Sequence, residues 1–147
     1  MKYSCVIEIN LPIKKTVELW NNKDYFKEWQ DDFCSIELIS GTHNYKGSKS
    51  RLLFVGKRKI ELVETILSID LPNEKTALYE HVHMSNTQCS RFISIGKNKT
   101  KYISEVEYIK FNGILIKALA MVFPGKFKSQ SQKWMNQFKA FAEKLED

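Results

Sequence analysis

At 147 residues, of which 43% are hydrophobic and 12% aromatic, the chain has the apolar material for one core and too little length for two. Bulk disorder is excluded, and a single domain over residues 1–147 is predicted. Twenty-three Lys and Arg against seventeen Asp and Glu give a net charge of +6, a balance that suits nucleic acid, an acidic membrane surface or an acidic ligand without choosing among them.

Residues 2–10 alternate, with Tyr3, Cys5, Ile7 and Ile9 on one face and Lys2, Ser4, Glu8 and Asn10 mostly on the other. This is the pattern of a half-buried strand. Charged and polar residues within it, and no small-residue cleavage site after it, argue against a signal peptide. Pro12 suits a first helical turn, and Ile13, Val17 and Trp20 follow at helical spacing. Asp24 is the expected cap of a second short helix carrying Tyr25, Phe26 and Trp29.

From Phe33 to Phe111 the pattern becomes a series of β-rich runs separated by turn-forming groups. Six strands are predicted, at 34–40, 48–55, 59–69, 76–84, 89–95 and 101–111, with connections short enough for antiparallel hairpins. With the first strand they make a seven-stranded antiparallel sheet. After Gly113 the chain reads as helical. Pro124 forces a break or kink, and Phe127, Trp134, Phe138, Phe141 and Leu145 then mark one face of a helix over 126–145. The fold class is therefore α+β.

The most apolar run, 114–123, contains Lys117 and at about 1.5 Å per residue is too short to cross a hydrocarbon layer of roughly 30 Å. Three cysteines, at 5, 34 and 89, form no CxxC pair and no disulfide framework. A soluble, cytoplasmic protein is expected.

Motifs that carry chemistry are mostly absent from the sequence. His81-Val82-His83 places two imidazoles on one face of a predicted strand, a geometry that can chelate a metal, but it lacks a third ligand. No metal or cofactor is expected. No GxSxG elbow, GxxxxGK[ST] loop or GxGxxG turn is present, which removes the corresponding hydrolase, nucleotide and dinucleotide chemistry. Nucleic-acid binding lacks both a recognition helix and a stacking motif. The basic excess gathers in Lys46, Lys49 and Arg51, in Lys57, Arg58 and Lys59, in Lys97, Lys99 and Lys101, and in Lys126 and Lys128. Such clusters read first as solvated surface, and second as groups that steer an anionic amphiphile or touch an acidic membrane.

The order strand, two short helices, six antiparallel strands and a long C-terminal helix resembles the helix-grip fold of the START-related SRPBCC superfamily, especially small bacterial members of the polyketide cyclase or dehydrase-like kind. Four features carry the resemblance: Ile7-Glu8-Ile9-Asn10-Leu11-Pro12 leading to Val17 and Trp20; Trp29 before the second strand; the Leu71-Pro72-Asn73 turn; and Phe123-Pro124-Gly125-Lys126-Phe127-Lys128-Ser129-Gln130 running into Trp134 and Phe138. What it implies is a curved sheet wrapped around the long helix, with a cavity between them for an apolar or amphipathic small molecule.

On that basis Trp29, Phe54, Tyr79, Phe92, Phe123, Phe127 and Trp134 are the expected cavity walls. Glu105, Glu107 and Arg91 are candidate polar groups of the same pocket. If the Glu105 face of the last strand points inward, these carboxylates are available as acid or base; if Tyr102, Val106 and Tyr108 point inward, the glutamates are solvated. The leading expectation is a binder of a hydrophobic or amphipathic molecule, acting as carrier, sensor or sequestering protein. The alternatives are a cyclase or dehydrase-like enzyme acting on a bound polyketide-type substrate, and a helix-grip protein-interaction module. The sequence leaves the oligomeric state open.

Overall fold

A computed structural model describes residues 1–113 and 124–145. The predicted helical segment before Pro124, and Phe123 with it, lie outside the described residues. β1 (Lys2–Ile9) is followed by α1 (Ile13–Trp20), a 3-10 turn (Lys23–Tyr25) and α2 (Phe26–Trp29). Six further strands come next: β2 (Phe33–Ser40), β3 (Lys49–Val55), β4 (Lys59–Asp70), β5 (Glu74–Glu80), β6 (Met84–Gly96) and β7 (Lys99–Phe111). The long helix α3 (Pro124–Leu145) completes the described chain. Among the described residues no helix is long and apolar enough to cross a membrane.

All seven strands form one antiparallel sheet in the order β1-β7-β6-β5-β4-β3-β2. Irregularities in register at Phe33/Ser35, Leu38/Ser40, Ile66/Ser68, Ser85/Asn86 and Ser94/Gly96 supply the local bends that let a sheet curve. α3 has 22 residues, about 33 Å of helix at 1.5 Å per residue, and lies against β1, α2 and α1.

Three local expectations are corrected. Asn22, not Asp24, caps the turn after α1, because its side chain accepts the Asp24 backbone N–H at 2.9 Å. β5 ends at Glu80 and β6 begins at Met84, so the hairpin turn falls at His81-Val82-His83 and not at Ser85-Asn86. The His81 N–H donates to the Met84 carbonyl across that turn at 2.9 Å. His81 and His83 therefore sit in a loop, with ring centroids 5.3 Å apart. Among the described residues no three His, Cys, Asp or Glu side chains gather as a metal site.

β1 runs beside α3 along both of its halves, and the rest of the sheet packs most tightly against the C-terminal half. There Cys5, Ile9, Val17, Leu19, Phe92, Tyr102, Phe138 and Ala142 form a buried cluster. Phe138 is fully enclosed and meets Trp29 and Tyr102 edge-on, at centroid separations of 5.4 and 6.4 Å. Thr100 ties β7 to the β1–α1 connection by donating its hydroxyl to the Leu11 carbonyl at 2.8 Å. Toward its N-terminal end α3 presents Phe127, Ser131 and Trp134 to an open space, each supported from one side by a sheet residue.

Candidate functional site

Between the concave face of the sheet and the N-terminal half of α3 lies a cavity of about 530 Å³. Strand alternation decides which side chains reach it. On β7 the inward residues are Tyr102, Ser104, Val106 and Tyr108; on β5 they are Lys75, Ala77 and Tyr79. All three tryptophans of the chain, Trp20, Trp29 and Trp134, face the cavity. Trp134 stacks on Phe54 at 5.8 Å and 22°, so one wall is continuous aromatic surface from α3 to β3.

The cavity reaches solvent where its lining residues are exposed, at Asp32, Arg58, Ile60 and Gln130. Two loops are fastened together there. The Val55 N–H donates to the Asp32 carbonyl at 2.9 Å, and the Asp32 carboxylate lies over Gly56 so closely that a Cβ there would push it aside. Asp31 fixes the helix to the same loop. Its carboxylate accepts from Trp134 Nε1 at 3.2 Å and Gln137 Nε2 at 3.3 Å, and it pairs with Lys133 Nζ at 2.9 Å. These donors, Lys133 foremost, hold its pKa below the ordinary aspartate value.

Tyrosines line the opposite wall. The Tyr3 hydroxyl lies 2.7 Å from Ser131 Oγ and donates to the Phe127 carbonyl at 3.2 Å, which joins β1 to α3. Tyr108 packs edge-on against Phe127 at 4.9 Å, and burial followed by the neighbouring Tyr3 raises its pKa. Deeper in, the Tyr102 hydroxyl accepts from Trp20 Nε1 at 3.2 Å. Burial pushes its phenol up to about 12, so it is a neutral hydrogen-bonding group at any ordinary pH.

Two further charged side chains, Lys75 and Glu64, line the cavity. Lys75 is only 9% exposed, and its ammonium donates to Asn21 Oδ1 at 3.0 Å and Asn44 Oδ1 at 3.4 Å. It also lies 5.7 Å from the centre of the Trp20 ring. Burial lowers its pKa, with the Glu64 carboxylate acting in the opposite direction. Glu64, on β4, accepts the Tyr79 hydroxyl at 2.8 Å. Burial, and then the same carboxylate, raise the Tyr79 pKa well above that of a free phenol.

Of the residues singled out in the sequence, Trp29, Phe54, Tyr79, Phe127 and Trp134 lie together on the cavity wall. Phe92 does not: it is packed in the closed end, stacked on Tyr102 at 4.8 Å, and Tyr102 stands at the cavity in its place. Arg91, Glu105 and Glu107 are on the outer face, because the even-numbered residues of both β6 and β7 take the inside. Arg91 there pairs with Glu105 at 2.7 Å and approaches Glu74 at 3.7 Å, while Glu107 is exposed. Sequence reasoning missed Lys75 and Glu64 as cavity residues, and with them Asn86, Gln88 and Ser90 on the inner face of β6. An outward polar face and a cavity-lining polar face have the same alternation. The available signal was Glu64 on the face opposite Glu61, with Leu62 and Ile66 as its inward neighbours.

No protein-family model matches the sequence, and comparison with curated proteins finds no match. Solved structures do match over the full length. A protein from Thermus thermophilus aligns at a TM-score of 0.80 and 13% identity, with 100% of each chain covered. An aromatase/cyclase from a Streptomyces species gives 0.78 at 8% identity, covering 100% of this chain and 96% of the other. A START superfamily protein from Mycobacterium smegmatis gives 0.73 at 12% identity, with 98% of each chain covered. Sheet order, the paired short helices after β1 and the long terminal helix are thus a shared architecture, and this chain has the helix-grip fold of the START-related SRPBCC proteins.

Proposed function

We propose that the protein binds an apolar or amphipathic small molecule in the cavity between sheet and α3, as carrier, sensor or sequestering protein. One observation carries this reading: α3 packs tightly along its C-terminal half and stands over about 530 Å³ of space along the rest. That volume falls within the range of about 300–1,000 Å³ typical of small-molecule sites. Its aromatic and aliphatic lining supplies affinity through buried apolar area, and its few polar groups fix orientation.

The three cavity tryptophans give a direct readout. Titration of the full chain with N-phenyl-1-naphthylamine should raise the probe's emission and quench tryptophan fluorescence together, saturating at one probe per chain. A linear, unsaturable response would refute the reading.

A further inference from the structure

The binding reading leaves open what kind of molecule is selected, and Lys75 and Glu64 bear on it. Both side chains face the cavity, and they carry opposite charges in a poorly solvated interior. Coulomb attraction should draw them together, yet no contact within 4.0 Å joins them among the described residues. Each is held by its own neighbours instead. Lys75 has three N–H donors and gives two of them to Asn21 and Asn44. Glu64 accepts from Tyr79 through Oε2, and Oε1 takes no hydrogen bond among the described residues. One donor and one acceptor are left over.

The backbone explains the separation. Lys75, Ala77 and Tyr79 are successive inward residues of β5, and Glu64 pairs across from Tyr79 on β4. The backbones of Lys75 and Tyr79 are four residues apart, about 13 Å along the strand, a span that the long side chains of Lys75 and Glu64 can close to the reach of one shared polar group. Between them on β5 stands Ala77, whose side chain is a methyl group, with Gln88 beside it on β6.

Resting on the binding reading, we propose that the cavity selects an amphiphile whose polar end is electrically neutral and offers both an acceptor and a donor, a hydroxyl or a primary carboxamide, seated over Ala77 between Lys75 and Glu64. Such a group accepts from Lys75 and donates to Glu64. A carboxylate satisfies Lys75 but sits beside a second carboxylate. An ammonium head meets the reverse difficulty. The apolar body then runs past Leu62 and Phe54 toward the opening at Ile60.

Four probes with the same eight-carbon body separate these cases: octan-1-ol, octanamide, octanoate and octylammonium, titrated into the full chain at neutral pH with tryptophan fluorescence as the readout. The alcohol and the amide should bind at least tenfold more tightly than either ion. Glu64→Gln should improve octanoate relative to octan-1-ol by about tenfold or more, and Lys75→Met should do the same for octylammonium. Equal or tighter binding of either ion by the native protein overturns the proposal. So does an unchanged ranking in two folded variants; if a variant fails to fold, the native ranking decides alone. Binding of the naphthylamine probe with the wrong head-group ranking sinks this inference and leaves the binding reading standing, whereas no binding by any probe removes both.

Discussion

Phe138→Ala should cost about 3–5 kcal/mol, the range for removing a fully enclosed aromatic side chain, and should lower Tm by roughly 10 °C or more. Phe138 is the fully buried residue of α3 that meets Trp29 from α2 and Tyr102 from β7. Its loss opens a void at the one place where helix, sheet and short helices all converge. Phe127→Ala, three turns nearer the N-terminal end of the same helix, should cost only about 1 kcal/mol, because its ring already borders open space and leans on Tyr108 from one side. Chemical denaturation of the two variants beside the native chain measures the contrast. Equal losses would mean that the helix packs uniformly along its length, contrary to the division into a closed and an open half.

The second large effect is on binding. Ala77→Phe projects a ring from the middle of β5 into the space between Lys75 and Tyr79, and should weaken naphthylamine binding at least tenfold, about 1.4 kcal/mol. Stability should change little or rise, since the added ring meets a void and buries apolar surface there. The unusual pairing of lost binding with retained Tm distinguishes occlusion from damage. A variant that binds as well as the native chain would place the ligand elsewhere. One that loses both properties would show Ala77 to be packed core.

Both predictions depend on details that differ in how far the sequence discloses them. Strand and helix order was legible because each element carries its own period: Tyr3, Cys5, Ile7 and Ile9 at two, and the apolar face of α3 at three and four. Aromatic cavity walls were legible for a different reason. Trp29, Phe54 and Trp134 belong to elements that the fold forces to face one another, so their apolar faces had to meet or to enclose something. Which face of β7 turns inward was not legible. Ile103 and Ile109 accompany the glutamates, Val106 accompanies the tyrosines, and either set makes a plausible inside until the closure of the sheet chooses Tyr102, Ser104 and Val106.

The polar interior was hidden most completely. Asn86, Gln88 and Ser90 look like the solvated side of a strand or the end of a hairpin, which sets the expected turn at Ser85-Asn86, four residues beyond the observed one that starts at His81. A cavity inverts the usual inference, since side chains facing it need not be apolar and can keep hydrogen-bonding capacity for a guest. Lys75 follows the same logic. It is a buried lysine held by two asparagine oxygens, and periodicity alone gives it the same pattern as any exposed lysine on a strand.

Electrostatics at the surface and inside the cavity also need to be kept apart. The net charge of +6 favours approach of an anion from a distance and falls away with salt. Inside, Lys75 is balanced by Glu64, so the long-range field and the local site do not ask for the same head group. Selectivity belongs to the local site, where screening is weak and each hydrogen-bonding atom has few partners.

The central claim is that the space beneath the N-terminal half of α3 holds a small molecule. Native mass spectrometry of the freshly purified full chain, followed by organic extraction and mass analysis of the extract, tests it most directly. The expected result is a population heavier than the bare polypeptide by one small organic molecule, which extraction releases and the Ala77→Phe chain fails to retain. A bare polypeptide that also gives no saturable binding of naphthylamine or of any eight-carbon probe would contradict it.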